Sequence, residues 1–324
     1  MAAKMIEVAK EAGVSIATVS RVLNGKTVRP DLAVAVQAAI KKLEYSPNKA
    51  GRTLRKQSAE VIGLIVADIE NPFFTAFARG VEDVSQQNNF SVVLCNSDES
   101  PRKEARYLQV AVAERMAGVI VCPADPALSL RDLAQQDISA VVADRALRDD
   151  LDHVLLDNER IARETTRELL RKGARRIACI TGPASTQTAV DRGKGWASAL
   201  AEAGVDVPDD YLVYTDFRIS GGVRAANQLL HHGIRPDAIL ATNNLVAVGT
   251  LRAIDGQSEE ILVGVVGELP YATSSPANVV MAPLHPAEMG RLAAQMLHER
   301  IAGSYKGRGR TVVMEPSQPS DSIF

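Results

Sequence analysis

Three side chains at helical spacing, Ile16, Ala17 and Arg21, lie in the run Val8-Ala9-Lys10-Glu11-Ala12-Gly13-Val14-Ser15-Ile16-Ala17-Thr18-Val19-Ser20-Arg21-Val22-Leu23-Asn24-Gly25. The run reads as two short helices around a tight turn. Gly13 permits the turn, Val14 plugs the space between the helices, and Ser15 caps the second helix. Val19, Val22 and Leu23 then face the first helix, which leaves Ile16, Ala17 and Arg21 outward. The chemistry open to such a face is base reading in a major groove. A guanidinium fork matches the paired acceptors of guanine, and small apolar groups suit thymine methyls. Ser15, Thr18, Ser20 and Asn24 are short polar groups suited to phosphate contacts.

The elements that must position these residues are helical. The first 45 residues contain no convincing strand, and three helices are expected, over Met5–Glu11, Ile16–Leu23 and Pro30–Leu43. Gly13 and Asn24-Gly25 break the pattern between them. Leu32, Val36, Ala39, Ile40 and Leu43 recur at helical spacing along the third. From residue 61 the pattern changes to short β-rich runs alternating with amphipathic helical runs. Strands are expected over Val61–Ala67, Phe90–Cys95, Gly118–Cys122, Ser139–Ala143, Arg176–Thr181, Tyr211–Thr215, Ala238–Ala241 and Ile261–Val266. Helices are expected between most of them, over Phe73–Gln87, Arg102–Arg115, Ile161–Lys172, Lys194–Ala203, Ser220–His231 and Leu245–Ile254. Near-continuous apolar strands separated by helices indicate parallel sheets covered on both faces. The number of units predicts an α/β core of two doubly wound parallel-sheet lobes, dividing near Asp157-Asn158. Ligands in such folds bind beyond the carboxyl ends of the strands, here in the cleft between lobes.

Composition narrows the class. The 324 residues carry a formal net charge of −2, unevenly spread: residues 1–60 hold 11 Lys and Arg against 5 Asp and Glu, the rest 26 against 34. A basic head on an acidic body suits a polyanionic partner for the head. Cys95, Cys122 and Cys179 sit singly in apolar runs, which argues against disulfides or a zinc site. No apolar run approaches the length of a membrane span. Met1-Ala2-Ala3-Lys4 leads into a mixed-charge helix without a secretory segment, so a cytoplasmic protein is expected. The five histidines form no catalytic set, and neither a phosphate loop nor metal-ligand spacing is present. No enzyme activity, metal or cofactor is therefore expected.

The run Val8 to Gly25 closely resembles the head of the lactose-repressor/galactose-repressor family of bacterial transcription regulators. The match continues through Ala38-Ala39-Ile40, Leu43, Tyr45, Pro47-Asn48, Leu54, Ile62-Gly63-Leu64-Ile65-Val66 and Asn71-Pro72-Phe73-Phe74, and so covers nearly the whole chain. The resemblance implies a three-helix helix-turn-helix head over residues 1–47, a hinge helix and linker over 48–60, and a periplasmic-binding-protein-like effector core over 61–324. The first lobe is expected over about 61–157 plus 286–303, the second over about 158–285 plus 304–324. It implies that Asn48, Arg52, Leu54 and Arg55 belong to a hinge helix that meets the minor groove, with Leu54 wedging between base pairs. Gly51 stands where the family usually has alanine, which loosens so short a helix further. Lys4 replaces the usual capping Thr or Ser, and Leu32 and Ala33 replace polar and basic residues after Pro30.

The resemblance also assigns effector contacts to residues that fall just past strand ends. Phe73, Phe74 and Phe217 would sandwich the apolar faces of a sugar ring. Asp144, Arg145, Arg192, Asn243 and Asn244 would fix hydroxyls or a carboxylate. After Val266 the chain reads Gly267-Glu268-Leu269-Pro270-Tyr271, two residues shorter than the family's usual Gly-Phe-Asp-Asp. Glu268 takes the acidic role there, or the role is absent. The implied function is a homodimeric repressor on double-stranded operator DNA, controlled by a sugar or sugar-derived effector. A catabolite-control-type regulator driven by a phosphoprotein partner fits the same head. A sugar-binding protein of the transport class shares the core but not the basic head, and a sugar-metabolising enzyme would be revealed by an activity screen. No leucine heptad follows Tyr305, so a coiled-coil tetramer is not expected.

Overall fold

The computed structural model describes residues 3–23, 26–45, 59–256, 260–269, 278–315 and 318–319. Asn24 and the expected hinge residues Asn48, Arg52, Leu54 and Arg55 lie outside them. The chain divides into two compact units, residues 1–58 and 59–324.

The first unit holds α1 (Met5–Glu11), α2 (Ile16–Leu23) and α3 (Pro30–Lys42). Its small core is Val8, Ala9, Val19, Val36, Ala39 and Tyr45, with Val14, Val22 and Leu23 packed against it. Gly13 takes φ +64°, the left-handed turn that glycine adopts without a Cβ clash. Lys4 offers no capping acceptor. The start of α1 is instead tied by Glu7, whose carboxylate accepts from the Lys4 N–H at 2.8 Å.

The second unit contains two parallel sheets. The strands are β1 (Val61–Val66), β2 (Ser91–Asn96), β3 (Gly118–Val121), β4 (Ser139–Ala143), β5 (Asp152–Leu156), β6 (Ile177–Thr181), β7 (Leu212–Tyr214), β8 (Ala238–Ala241), β9 (Leu262–Val266), β10 (Val279–Ala282) and β11 (Thr311–Met314). The first sheet runs β11-β5-β4-β3-β1-β2 and the second β10-β9-β8-β6-β7. The central strands are buried on both faces because helices cover both. These are α4 (Pro72–Gln87), α5 (Pro101–Ala113), α6 (Arg131–Gln135), α7 (Asn158–Arg171), α8 (Gln187–Glu202), α9 (Ile219–Leu230), α10 (Asn244–Ile254) and α11 (Pro286–Ile301). In each sheet one central strand has neighbours that leave in opposite directions, β1 between β2 and β3, and β6 between β7 and β8. A crevice opens at such a switch point, beyond the carboxyl ends.

The chain passes from the first lobe to the second at Asp157, whose side chain caps α7 by accepting from the Arg160 N–H at 3.0 Å. It returns through residues 283–285 to α11, which packs against α4 in the first lobe. The α4–α11 approach is so close that a Cβ on Gly80 would fall 1.9 Å from the Ala287 carbonyl oxygen.

The expected second-lobe placement of residues 304–324 is corrected for β11, which pairs parallel with β5 in the first sheet. The physical reason is a buried carboxylate. Asp152 of β5 accepts from Arg300 at 2.7 and 3.0 Å and from the Arg310 guanidinium and N–H at 2.8 Å each. Both guanidinium groups also lie over the Tyr305 ring, with their centres 4.5 and 3.9 Å from its centroid. Burial alone would raise the Asp152 pKa, but the hydrogen bonds from Arg300 and Arg310 hold it well below the ordinary carboxylate range. A depressed folded-state pKa stabilises above the unfolded value, about 3.9, and that stabilisation is lost as pH falls through the lower folded value. Asp152→Asn should therefore lower stability at pH 7 by on the order of 3 kcal/mol, because two guanidinium groups lose their counter-charge. Thermal melts from pH 7 to pH 2 should show the variant with a shallower acid loss than the parent. Parallel curves would remove Asp152 from the acid response.

Candidate functional site

Two sites emerge, one in each unit. In the first, α2 presents Ile16, Ala17 and Arg21 together on its exposed face, and Ile16 keeps 47% of its surface open to solvent. Val19, on the opposite face, is fully buried. Ser15 caps α2, its hydroxyl accepting from the Thr18 N–H at 3.1 Å and lying 2.9 Å from the Thr18 hydroxyl. Ser20 is half-buried beside them. An exposed apolar residue next to an exposed arginine is a poor solvent face and a good groove-reading face.

The second site is the cleft between the two lobes. Phe73 and Phe74 form the first turn of α4, and Asn71 fixes that turn by accepting from the Phe73 N–H at 3.0 Å. Their rings meet edge to face at 5.1 Å. Asp144 and Arg145 follow β4, Phe217 follows β7, and Asn243 and Asn244 follow β8. All of these and Arg192 line one inner cleft, with Asp68, Asn71, Glu99, Thr188 and Leu284. The inner cleft is tight, with a cavity volume of about 30 Å³; the adjoining mouth has about 310 Å³. Glu268 is exposed and lies at the mouth rather than in the inner cleft.

Arg192 stands on α8, not in the loop before it, because that helix begins at Gln187 rather than at Lys194. Its Nε donates to Asn158 at 2.8 Å and one Nη to the Thr242 carbonyl at 2.5 Å. Burial lowers its pKa to about 10, with Asp144 opposing and Arg145 reinforcing the shift. It remains a cation at neutral pH. Asp144 takes φ +67°, which turns its side chain inward at the end of β4, and the Arg145 N–H bonds back to the Ala143 carbonyl at 2.7 Å. Such strain in a buried polar residue is concentrated at functional sites. Burial raises the Asp144 pKa above the ordinary carboxylate value, while Arg145 and Arg192 pull it down. Arg145 lies 3.4 Å from Asp144, and its guanidinium centre is 5.8 Å from the Phe217 ring centroid. Gly182 makes room for Phe217, since a Cβ there would stand 2.1 Å from the ring.

The neighbouring asparagines divide their work. Asn243 caps α10 by accepting from the Val246 N–H at 2.8 Å, and Asn244 donates to the Glu268 carbonyl at 2.6 Å. Asn158, which sequence reasoning associated with the lobe crossing, is the partner that orients Arg192. Asp68, Glu99, Thr188 and Leu284 were missed. Asp68 and Glu99 do follow β1 and β2, so strand-end position was an available signal for them.

Across the cleft rim, Arg218 of the second lobe pairs with Asp98 at 2.5 Å and Glu70 at 3.4 Å in the first. These side chains are exposed, so the latch is worth no more than about 1 kcal/mol. Arg218→Ala should weaken cleft-ligand affinity less than about fivefold, and the difference should shrink as salt is raised. Titration calorimetry at two salt concentrations checks this; a larger loss that ignores salt would mean Arg218 touches the ligand.

Among the described residues no helix is long and apolar enough to cross a membrane, and no cluster of His, Cys, Asp and Glu has the makings of a metal site.

Comparison with known proteins matches the two units separately. Residues 59–314 fit the family described as periplasmic binding proteins and sugar binding domain of LacI family, and residues 4–48 fit the bacterial regulatory proteins of the lacI family. This chain belongs to the LacI family of bacterial regulators. It is similar to the ribose operon repressor of Escherichia coli (strain K12), 33% identical over 309 residues that span 92% of this chain and 93% of the relative. The structure of a transcriptional regulator, the CelR–cellobiose complex, superposes with TM-score 0.71 at 27% identity over 97% of this chain and 98% of the other. The fold is also that of the Lac repressor dimer bound to operator and an anti-inducer, with TM-score 0.82 at 20% identity, covering 98% of this chain and 99% of the other. The chain therefore joins a LacI-type DNA-binding domain to a sugar-binding-type domain. Both the fold and the regulator class expected from the sequence are those of its relatives.

Proposed function

We propose that this LacI-family chain is a repressor whose operator affinity is set by a neutral sugar bound in the inner cleft. The observation that carries the reading is the pairing of buried, incompletely satisfied polar groups with aromatic walls. Arg145 Nε is buried without a hydrogen-bond partner among the described residues, and the Asp144 carboxylate beside it at 3.4 Å is held only by that ion pair, while Phe73 and Phe217 line the same space. Buried polar groups without partners are costly and rare. Ring hydroxyls would supply both a donor for Asp144 and an acceptor for Arg145. Three acids against two arginines, Asp68, Glu99 and Asp144 against Arg145 and Arg192, leave the cleft lining at a formal charge of −1. That balance favours a neutral sugar over a sugar acid, and the ribose operon repressor is a relative consistent with a monosaccharide.

A cavity of about 30 Å³ is smaller than a sugar ring, so entry requires the lobes to part. Ligand binding is then coupled to lobe angle, and the coupling reaches DNA if one lobe arrangement orders residues 48–60. Asn48, Arg52, Leu54 and Arg55 are the residues we assign to that connector, with Leu54 as the wedge. Ile16, Ala17 and Arg21 read bases, and Ser15, Thr18, Ser20 and Asn24 hold phosphates. One head this small reads too short a site, so a homodimer on a pseudo-palindromic operator follows. The edge strand β2 supports a second copy, since Val93, Leu94 and the nearby Val110 are 42%, 47% and 39% exposed. The chain acts as a cytoplasmic regulator rather than an enzyme in this reading.

A thermal-shift screen of the purified chain against neutral pentoses and hexoses tests it. A sugar at 100 times its Kd stabilises by about 2.7 kcal/mol, or roughly 5–10 °C. A screen in which no neutral sugar moves the melt would overturn the neutral-sugar assignment.

A further inference from the structure

Glu99 stands outside the set expected from the sequence, yet it makes the most complete ion pair in the cleft. Its two carboxylate oxygens accept from the two Nη atoms of Arg145 at 2.6 and 2.7 Å. This is the parallel fork by which arginine recognises a carboxylate or phosphate. Arg145 is also anchored from behind, one Nη donating to the Pro123 carbonyl at 3.0 Å. The Arg145 side chain is 9% exposed and the Glu99 side chain 30%, so Glu99 lies on the open side of the fork. An anionic group entering from the cleft would have to take the place Glu99 occupies.

The backbone is bent to put it there. Asp98 and Glu99 both adopt left-handed conformations, φ +54° and +53°, which glycine or asparagine would take more easily. The turn is pinned by the Ser97 N–H to Val66 carbonyl and Glu99 N–H to Ala67 carbonyl bonds, each 2.9 Å. Two consecutive strained residues send one carboxylate outward to Arg218 and the other inward to Arg145.

We propose that Glu99 sets the charge specificity of the cleft. Its carboxylate occupies the Arg145 fork from within the protein, so the cleft accepts neutral sugars and rejects sugar acids and sugar phosphates. This rests on the neutral-sugar reading above. Glu99 acts through Arg145 and is in this sense a positioning residue. Without its charge, Arg145 keeps its Pro123 anchor, its fork opens to the cleft, and the formal charge of the lining rises from −1 to zero.

Titration calorimetry on the full chain, its Glu99→Gln and Glu99→Ala variants, and a Glu99→Gln/Arg145→Gln double variant tests this. The probes are D-ribose, D-glucose, D-ribonate, D-gluconate and D-ribose 5-phosphate. In the parent, each anion should bind at least tenfold more weakly than its neutral counterpart. Either single variant should bind at least one anion tenfold or more tighter than the parent does, with the gain falling as salt rises. Gain for the aldonates alone assigns the fork to carboxylates, and gain for the phosphate alone to phosphates. The double variant should lose the gain, which a merely structural role for Glu99 would not predict. Folded single variants with unchanged anion affinity would overturn the proposal alone, as would a gain that persists in the double variant. If the variants do not fold, the parent still decides, because equal binding of D-ribonate and D-ribose there contradicts anion exclusion. Absence of any neutral-sugar binding to the parent would overturn the underlying reading and this proposal with it.

Discussion

Arg192→Ala should abolish sugar binding in the cleft, by at least a hundredfold in Kd, while leaving operator binding without sugar largely intact. The reason is position rather than charge alone. Arg192 is buried, held by Asn158 and the Thr242 carbonyl, and oriented with Asp144 opposite. Truncation removes a charge-assisted donor and leaves a buried carboxylate with less compensation, which costs on the order of 3–5 kcal/mol. Asn158→Ala should reproduce part of the loss, since it frees the guanidinium from its orienting acceptor without removing the charge. Calorimetry measures the sugar affinity, and fluorescence anisotropy of a labelled operator measures the DNA affinity. A variant that still answers to sugar would take Arg192 out of the site.

Arg21→Ala should cost about 1–3 kcal/mol in specific DNA binding, five- to more than a hundredfold in affinity, and relax the choice of base at one position per half-site. Non-specific binding should fall much less, because it rests on phosphate charge spread over the whole basic head. Ile16→Ala should be milder, since it removes an apolar contact and leaves the fork. Selection of duplexes from a random library, compared between parent and variant, reads the change directly. An unchanged selected sequence would mean that α2 does not enter the groove by this face.

The head was legible because its signals are local. A turn glycine, a serine cap and apolar residues at helical spacing all fall within 18 residues, and together they specify α2. The cleft was legible for a different reason. In parallel sheets the carboxyl ends of many strands converge, so residues far apart in sequence meet if they share that position. Phe73, Asp144, Phe217 and Asn243 meet in this way. What local pattern does not carry is side-chain direction. Glu99 and Asp144 are aimed by left-handed backbone, which glutamate does not advertise and aspartate signals only weakly. Gly193 and Gly195 make the start of α8 look non-helical to a local reading, which leaves Arg192 ahead of the expected helix, although Gly195 is there to let α8 approach α7.

The strands β5, β10 and β11 were also missed. β5 begins with Asp152-His153, which disguises a buried strand as a turn. β11 alternates exposed and half-buried residues and finds its partner more than 150 positions earlier. The shared carboxylate of Asp152, bound by Arg300 and Arg310, together with the β5 ladder and the packing of Val312 and Met314, brings the chain back to the first lobe. The pairing is a tertiary fact, and no window of neighbouring residues contains it.

The coupling of cleft to head is tested most directly by anisotropy titration of a selected pseudo-palindromic duplex, at fixed salt, with and without a sugar that raises the melting temperature. Occupancy of the cleft should change operator affinity by at least tenfold, equivalent to about 1.4 kcal/mol of coupling, and Arg192→Ala should erase that change. Identical operator affinity with the cleft empty and saturated would contradict it.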